Sequence, residues 1–265
     1  MASPMAASYL KIARAKKHLA ELEQVIQAYI ETNPVRYETT VSDPEIVGTK
    51  EDGTPLRHAR ITFKFDQDAI PEEMSAIVGD IVHNLRSALD LMATELCRAE
   101  DDAEDETHFP FAKKESEFGN RVSKTGFWRA GPEAIMLMSE FAPYEGGNAV
   151  LRAIHDLDIR DKHKRLIINA ITFGTPIIDI GPAGNRHPVP KIIGDPTKPS
   201  ELKLFFPQDT ALATQELVPT LHLMVETTAS IVEAFKLLLG PAMEPPVGGD
   251  RYNINAHITL DATKG

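Results

Sequence analysis

The stretch HNLRSALDLM, residues 83–92, sets four polar residues into a segment whose other residues have the spacing of a helix core. Apolar side chains recur around it at steps of three and four, which is typical of one face of an α-helix. The helix is expected to begin after Pro71, because proline suits the first helical turn, and to end near Arg98. Its apolar stripe consists of Met74, Ile77, Val78, Ile81, Leu85, Leu89, Met92 and Leu96.

The polar residues of this helix share a second face. At about 100° per residue, His83, Arg86 and Asp90 lie within roughly 60° of one another, in line with Gly79 and Ala93. Small residues at those two positions let another element approach closely. The same pattern also fits a solvated face on which Arg86 and Asp90 form a pair four residues apart.

Polar residues also stand on the core face of another predicted helix, residues 147–170. A carboxylate on a core face is costly unless it is paired and hydrogen-bonded. Asp158 and Asp161 are therefore expected to meet cations from a facing helix, with His83 and Arg86 as the candidates. The same contacts would also be made by an internal polar network that has no ligand and only fixes the register of the two helices. The stripe of the second helix is Leu151, Ile154, Asp158, Asp161, Arg165 and Ile168.

Two further helices and several strands complete the expected fold. A narrow apolar stripe that includes Ile12, Leu19, Leu22 and Ile26 predicts a helix over residues 5–31, either docked on the fold or forming a dimer seam. Strands that come in clusters, rather than in regular βαβ units, indicate an α+β fold with an antiparallel sheet. The closing helix is predicted over residues 221–239, and the alternating strand patterns over 35–41, 59–65, 202–206 and 252–260, with a weaker one over 171–180.

These patterns predict one α+β domain over residues 1–265, with a helical bundle core and a flanking antiparallel sheet. Residues 71–170 form the helical core that carries the polar motifs. Residues 240–250 are rich in proline and glycine, which predicts a linker to a C-terminal strand.

The charge balance limits the class of ligand. Twenty-eight basic against 39 acidic residues give a net charge of −11, which opposes diffuse attraction to double-stranded DNA or to an anionic membrane. A phosphate ligand would need a local basic pocket. The single cysteine, Cys97, allows neither an intrachain disulfide nor a cysteine-based zinc site. Without an apolar run of about 18 residues or a secretory signal, the chain is expected to be cytoplasmic and to have no membrane partner.

The segments HNLRSALD, HFPF and DKHK resemble a family of uncharacterised bacterial proteins that carry the motifs HNLRSALDH and DKHR. The likeness covers about residues 75–170. Here Leu91 replaces the second histidine of the first motif, and Lys164 replaces the arginine of the second, with Arg165 following at once. The helical core is more distantly similar to the HEPN superfamily of helical bundles. Many HEPN proteins are metal-independent ribonucleases, with an arginine four to six residues before a histidine and an active site at a dimer interface. Here Arg160 precedes His163 by three residues.

The resemblance implies an RNA- or phosphodiester-directed module, which includes an unconventional metal-independent ribonuclease, acting as a homodimer on RNA or a nucleotide. No cofactor is expected. Cleavage without metal needs a general acid, a general base and cations on the phosphate. His83 and His163 would supply the first two, and Arg86 and Arg165 the cations. The accompanying binding residues would be Asn84, Asp90, Asp158, Asp161, Lys162 and Lys164.

Two other interpretations use the same region. In the first, the chain is a non-catalytic binding or interaction protein, and its buried polar network only specifies the structure. Alternatively, His155, Asp158, Asp161 and His163 would form a mixed nitrogen and oxygen metal site with His83 and Asp90. Lys162 and Arg165 would repel a divalent cation there, so no metal is expected. Exposure of His83 and His163 to a basic cleft would favour the ribonuclease.

Overall fold

The computed structural model describes residues 4–43, 45–58, 60–100, 107–163, 169–173, 177–179, 191–193, 201–206, 210, 212 and 215–239. Most of these residues are helical, and the fold is a helix-dominated α+β fold. Its helices are α1 (Ala6–Glu31), α2 (Glu72–Glu100), α3 (Phe118–Lys124), α4 (Gly131–Glu140), α5 (Ala149–His163) and α6 (Leu217–Lys236). Its strands are β1 (Val35–Val41), β2 (Glu45–Thr49), β3 (Pro55–His58), β4 (Ile61–Gln67), β5 (Asn169–Phe173), β6 (Ile177–Asp179), β7 (Lys191–Ile193) and β8 (Glu201–Phe205).

The three helices with the clearest apolar periodicity, α1, α2 and α6, are confirmed with boundaries close to those predicted. All eight apolar residues of the predicted stripe on α2 are buried. Burial of one continuous face, rather than helix propensity, supplies most of the stability of helices of this length. The hydrophobic core therefore lies between these helices.

Helix α1 runs antiparallel to α2. Near its start, the Ser8 hydroxyl donates to the Ala88 carbonyl at 2.9 Å, and near its end the Tyr29 hydroxyl donates to the Asp68 carbonyl at 2.8 Å, just before α2 begins. Ile12, Leu19 and Leu22 are buried in this packing. These three residues of the narrow stripe therefore belong to the core of one chain, and Ile26 is partly buried against it, so the prediction that α1 docks on the fold is confirmed.

Helix α6 runs antiparallel to α1 and closes the bundle. The Tyr9 hydroxyl donates to Glu233 at one end, and the His222 ring lies 2.8 Å from Glu23 at the other. His222 lies on the flank of the helix, since its side chain is exposed. The buried residues of α6 are Leu217, Leu221, Met224, Val225, Thr228, Ile231, Val232 and Phe235.

Helix α5 is shorter than predicted. It ends at His163, and Asn169–Phe173 forms strand β5, so the expectation of helix up to residue 170 is wrong. The run from Ile167 to Thr172 is rich in β-branched residues, which lose rotamer freedom in a helix and fit a pleated strand. Residues 164–168, which include Lys164 and Arg165, lie outside the described residues.

The first predicted strand pair is confirmed. Strands β1 and β4 are antiparallel, in a register that runs from Val35 opposite Gln67 to Val41 opposite Ile61. The chain between them forms a second hairpin, β2 with β3, which the sequence pattern did not predict because its described side chains face solvent and do not alternate. The hairpin turns at Asp52 and Gly53: Gly53 has a φ of +81°, and the Thr54 amide donates to the Asp52 carboxylate at 2.9 Å.

The later strands also pair. Strand β5 is antiparallel to β8, and β6 to β7, which confirms strands in the predicted segments 171–180 and 202–206. Among the residues that the structure describes, the four pairs are not hydrogen-bonded to one another. One flanking sheet therefore stays a prediction. The expected linker 240–250 and the C-terminal strand 252–260 lie outside the described part of the chain.

Candidate functional site

His83 and Asp158 join the two helices that carry the polar motifs. Nδ1 of His83 lies 3.0 Å from Oδ1 of Asp158. The histidine side chain is 52% exposed, whereas the aspartate side chain is only 4% exposed. The expectation that a core-facing carboxylate on α5 meets a partner from α2 is confirmed at this pair. A buried carboxylate that holds one ring nitrogen fixes the ring and leaves the other nitrogen for solvent or a ligand.

Gly79 allows the close approach of α5 that its size predicts. A Cβ built on this glycine would lie 2.5 Å from Oδ2 of Asp161. Burial raises the pKa of Asp161, and the neighbouring carboxylates of Asp80 and Asp158 raise it further, while His83 opposes them. His83 therefore lies among acidic groups, which do not attract a phosphate.

Arg86 is directed away from that acidic group. Its Nη1 atom lies 3.1 Å from Oδ1 of Asp90 on the same helix, and its side chain is 13% exposed. The Phe109 amide donates to the same Asp90 oxygen at 2.8 Å. The pair four residues apart is thus confirmed. The prediction of a solvated face is wrong for Arg86, which the segment around Phe109 covers, whereas His83 on the same face is half exposed.

The electrostatics of this pair are those of a buried ion pair. Burial lowers the pKa of Arg86, against the attraction of Asp90 and Asp158, and burial raises the pKa of Asp90, against the attraction of Arg86. Two buried opposite charges stabilise a fold only weakly on balance, but either one left alone is costly. Of the two aspartates on α5 that were predicted to meet Arg86, Asp158 acts on it through its charge.

The ring of Phe111 connects Arg86 to α5. The guanidinium carbon of Arg86 lies 4.4 Å from the ring centroid, and the His155 ring stacks on Phe111 with a centroid separation of 4.7 Å. Phe109 and Phe111 are both buried. Both aromatic residues of the HFPF segment therefore pack into the core. Arginine over an aromatic face is a favourable cation–π geometry, which here also orders the segment between the helices.

His155 is held neutral. Burial, together with charge repulsion from Arg86, Arg152 and Arg121 and against the attraction of Asp158, lowers its pKa to about 4. Its Nδ1 atom is buried and has no hydrogen-bond partner among the described residues. A protonated ring would bury that N–H without an acceptor, whereas the neutral ring can carry its proton on Nε2.

A basic pocket of about 290 Å³ opens beside His155. Four of its lining residues are cations and one is an acid, although the whole chain has an acidic excess. Two of the cations are fixed by backbone carbonyls: Arg121 Nε donates to Phe111 at 2.8 Å, and Arg152 Nη1 donates to Ala112 at 3.0 Å. The pocket is lined by Phe111, Lys113, Glu117, Asn120, Arg121, Lys124, Arg152 and His155.

Other predicted site residues take different places. Asn84 is buried, and its amide donates to the Asp80 carbonyl at 2.8 Å, which is a contact within α2. Lys162 and His163 are in the last turn of α5, but their side chains lie outside what the structure describes, as do Lys164 and Arg165 altogether. The structure thus brings His83, Asp158 and Asp161 together on one side, and Arg86 and Asp90 on another.

Sequence reasoning missed the basic pocket. Its cations come from the segment after HFPF, from α3 and from the first half of α5, and no single spacing connects them. The available signal was local: FPFAKK, RVSK and LRAIH each place a basic residue near an aromatic or apolar one. Such short basic segments are common on solvated surfaces, so the signal has low specificity.

Within the described ranges, no group of three or more histidine, cysteine, aspartate or glutamate side chains is arranged to hold a metal ion. No helix in the described part of the chain has the length and apolar character needed to cross a membrane.

Comparison with protein-family models, with curated proteins and with solved structures gives no significant match for this chain. The resemblance to the HNLRSALDH family and to HEPN bundles therefore stays a prediction from the motifs, and function has to be argued from the site itself.

Proposed function

We propose that this protein is an RNA- or phosphodiester-directed module that binds a phosphate-bearing ligand, RNA or a nucleotide, in the basic pocket. The observation that supports the proposal is the clustering of Lys113, Arg121, Lys124 and Arg152 around one cavity. Arginine and lysine donors bind phosphate oxygens through short charge-assisted hydrogen bonds.

The distribution of charge supports a local rather than a diffuse site. A chain with a net charge of −11 repels a polyanion over most of its surface, so binding depends on a basic cluster that acts at short range. Backbone carbonyls orient both arginines before any ligand arrives. Donors positioned in advance lose little conformational entropy on binding.

Removal of two lysines tests the proposal. Lys113→Ala with Lys124→Ala takes two exposed cations from the pocket, and Lys16→Ala with Lys17→Ala takes two exposed cations from α1 as a charge-matched control. Binding of short single-stranded RNA and of nucleotides, followed by fluorescence anisotropy and calorimetry, should weaken about tenfold or more in the first variant only. Equal weakening in both variants, or no binding by the parent protein, would contradict a site in this pocket.

A metal-independent ribonuclease is a second candidate, which the exposed His83 ring on the buried Asp158 favours. Such a ring could act as a general acid or base. Cleavage should then persist in EDTA, leave a cyclic phosphate, and fall by about 10² or more in His83→Ala and in His163→Ala. His222→Ala, at an exposed histidine that also pairs with a carboxylate, serves as the control. If the parent protein cleaves none of a varied set of RNAs, the ribonuclease proposal fails and the proposal of a phosphate-binding module remains.

The non-catalytic interpretation of the polar network has its own support. Arg86 and Asp90 are largely buried and contact Phe111 and Phe109, which suits a structural role better than contact with substrate. We therefore assign these two residues to the fold beneath the pocket. The flanking sheet and the HEPN-like topology are parts of the same proposal.

A homodimer is proposed on the resemblance alone. Because the stripe of α1 is buried within one chain, a dimer would have to use another surface. Size-exclusion chromatography with light scattering distinguishes a particle of 29.2 kDa from one of twice that mass. A monomer at micromolar concentration would remove the dimer and weaken the comparison with HEPN ribonucleases.

A further inference from the structure

We infer that the basic pocket takes a terminal phosphate monoester, as at a phosphorylated end of RNA or on a nucleotide, rather than an internal phosphodiester. The inference rests on the proposed function and narrows its ligand class. It follows from the balance of charge in the lining, from the fixed arginines and from the neutral histidine.

The lining carries more positive charge than one diester can offset. Lys113, Arg121, Lys124 and Arg152 contribute four positive charges, Glu117 contributes one negative charge, and the sum is +3. Asp156, which accepts from Arg152 Nε at 3.0 Å, reduces the local excess to +2. An internal diester carries a single negative charge, whereas a monoester carries about −1.5 to −2 near pH 7 and offers three acceptor oxygens.

The remaining donors suit several oxygens on one phosphorus atom. Arg121 donates one N–H to a backbone carbonyl and keeps its other donors. Arg152 donates one N–H to another backbone carbonyl and two to the Asp156 carboxylate, which leaves two of its five guanidinium N–H donors for a ligand. The exposed Lys113 and Lys124 contribute flexible ammonium groups from the rim. Three terminal oxygens can each accept a charge-assisted hydrogen bond, whereas a diester offers only two charged oxygens between its esterified ones.

His155 adds no charge to this lining. Its buried Nδ1 has no described partner, and Arg86, Arg121 and Arg152 repel a ring proton. Because the pKa of His155 is about 4, the ring stays neutral between about pH 5 and 7, and the ionisation of the ligand decides the expected pH dependence. A monoester loses its second charge near pH 6, and a diester has no second charge to lose.

The test uses one RNA sequence with two ends. A short single-stranded RNA labelled at its 3′ end is prepared with a 5′-phosphate and with a 5′-hydroxyl, and anisotropy is measured at about pH 7 and pH 5. The phosphorylated RNA should bind about tenfold or more tightly at the higher pH, and the advantage should shrink at the lower pH. Lys113→Ala with Lys124→Ala should abolish the advantage, and Lys16→Ala with Lys17→Ala should keep it.

The outcomes separate the inference from the proposed function. If the two RNAs bind with equal affinity, and Lys113→Ala with Lys124→Ala weakens the binding of both, the monoester inference is overturned. The proposed RNA- or phosphodiester-directed module would still stand. Binding of neither RNA, together with no binding of inorganic phosphate or adenosine 5′-monophosphate by calorimetry, would overturn both. Circular dichroism of each variant confirms that the helices are intact, so that lost binding is not lost folding.

Discussion

Gly79 and Asp161 stand so close that a Cβ on the glycine would lie 2.5 Å from the aspartate Oδ2 and 2.7 Å from its Cγ. The contact joins the first third of α2 to the last turns of α5, one helical turn away from the pair of His83 and Asp158. A side chain at position 79 would therefore require the Asp161 carboxylate to move.

A double-mutant cycle measures this contact. Gly79→Ala should destabilise the protein in the parent background, because the new methyl group displaces the Asp161 carboxylate. In an Asp161→Ala background the same change should stabilise it by about 0.5–1 kcal/mol, the usual advantage of alanine over glycine within a helix. Urea unfolding of the four proteins should give a coupling of about 1 kcal/mol or more. Additive effects would show that α5 does not pack on Gly79 in solution.

Replacing Arg86 should expose the cost of its buried partner. Arg86→Met keeps an unbranched side chain against Phe111 but leaves Asp90 without its cation, which should lower the free energy of unfolding by about 3 kcal/mol. Adding Asp90→Asn removes the unpaired charge while retaining an acceptor for the Phe109 amide, so part of that loss should return. Chemical denaturation at neutral pH measures both. If the single variant is as stable as the parent, Arg86 does not pair with Asp90 in solution.

His83 should matter for stability even if the protein cleaves nothing. His83→Ala removes the histidine contact of a carboxylate that is almost fully buried, and the expected loss is about 1–2 kcal/mol. Because the ring lies among acidic groups and does not line the basic pocket, binding of RNA by the pocket should not change. Thermal unfolding and anisotropy on one sample give both values. Weakened binding without lost stability would assign His83 to the ligand site.

His155 predicts a pH dependence of stability. Its folded pKa of about 4 lies below the ordinary value of 6.5, so the unfolded chain binds a proton first as the pH falls. The contribution of the neutral His155 ring to the free energy of unfolding is complete above about pH 6.5 and is lost progressively down to about pH 4. The full shift would be worth about 3 kcal/mol, but partial exposure of the ring reduces the expected loss to about 1–2 kcal/mol.

The variant His155→Phe tests that assignment, because it keeps a flat ring on Phe111 and removes the titrating nitrogens. The stability of the variant should fall less than that of the parent between pH 6.5 and pH 4. His18→Phe, at a histidine on α1 for which the pocket arginines are not neighbours, should keep the slope of the parent. Parallel curves for the parent and His155→Phe would show that another group titrates.

Periodicity predicted the long helices, because burial of one face decides whether they form. The register of α1, α2 and α6 follows from apolar residues at steps of three and four. The segment between Phe118 and Glu140 was not predicted as helix, since α3 and α4 are short and are separated by Gly126 and Gly131, both with positive φ. Short helices give too few turns for a periodic signal.

The site was predictable only where a physical penalty forced a contact. Asp158 on a core face required a partner, and that requirement led to His83. The cations of the pocket carry no such desolvation penalty, because lysine and arginine side chains are common on any solvent-exposed surface. Their convergence depends on how the Thr107–Ala112 segment crosses α2, where Phe109 binds Asp90 and Thr94 binds the Thr107 carbonyl. Local sequence does not encode that crossing.

Phe111 lines the basic pocket and is also part of the buried core. A ligand that binds in the pocket should therefore raise the melting temperature of the protein. A molecule that binds the folded chain and not the unfolded one adds RT ln(1 + [L]/Kd) to the free energy of unfolding, about 2.7 kcal/mol at a hundredfold excess over Kd. Melting curves recorded across a library of phosphorylated metabolites and RNA ends would therefore rank ligands by how much each one raises the melting temperature. That ranking needs no assay of turnover and no prior choice of substrate.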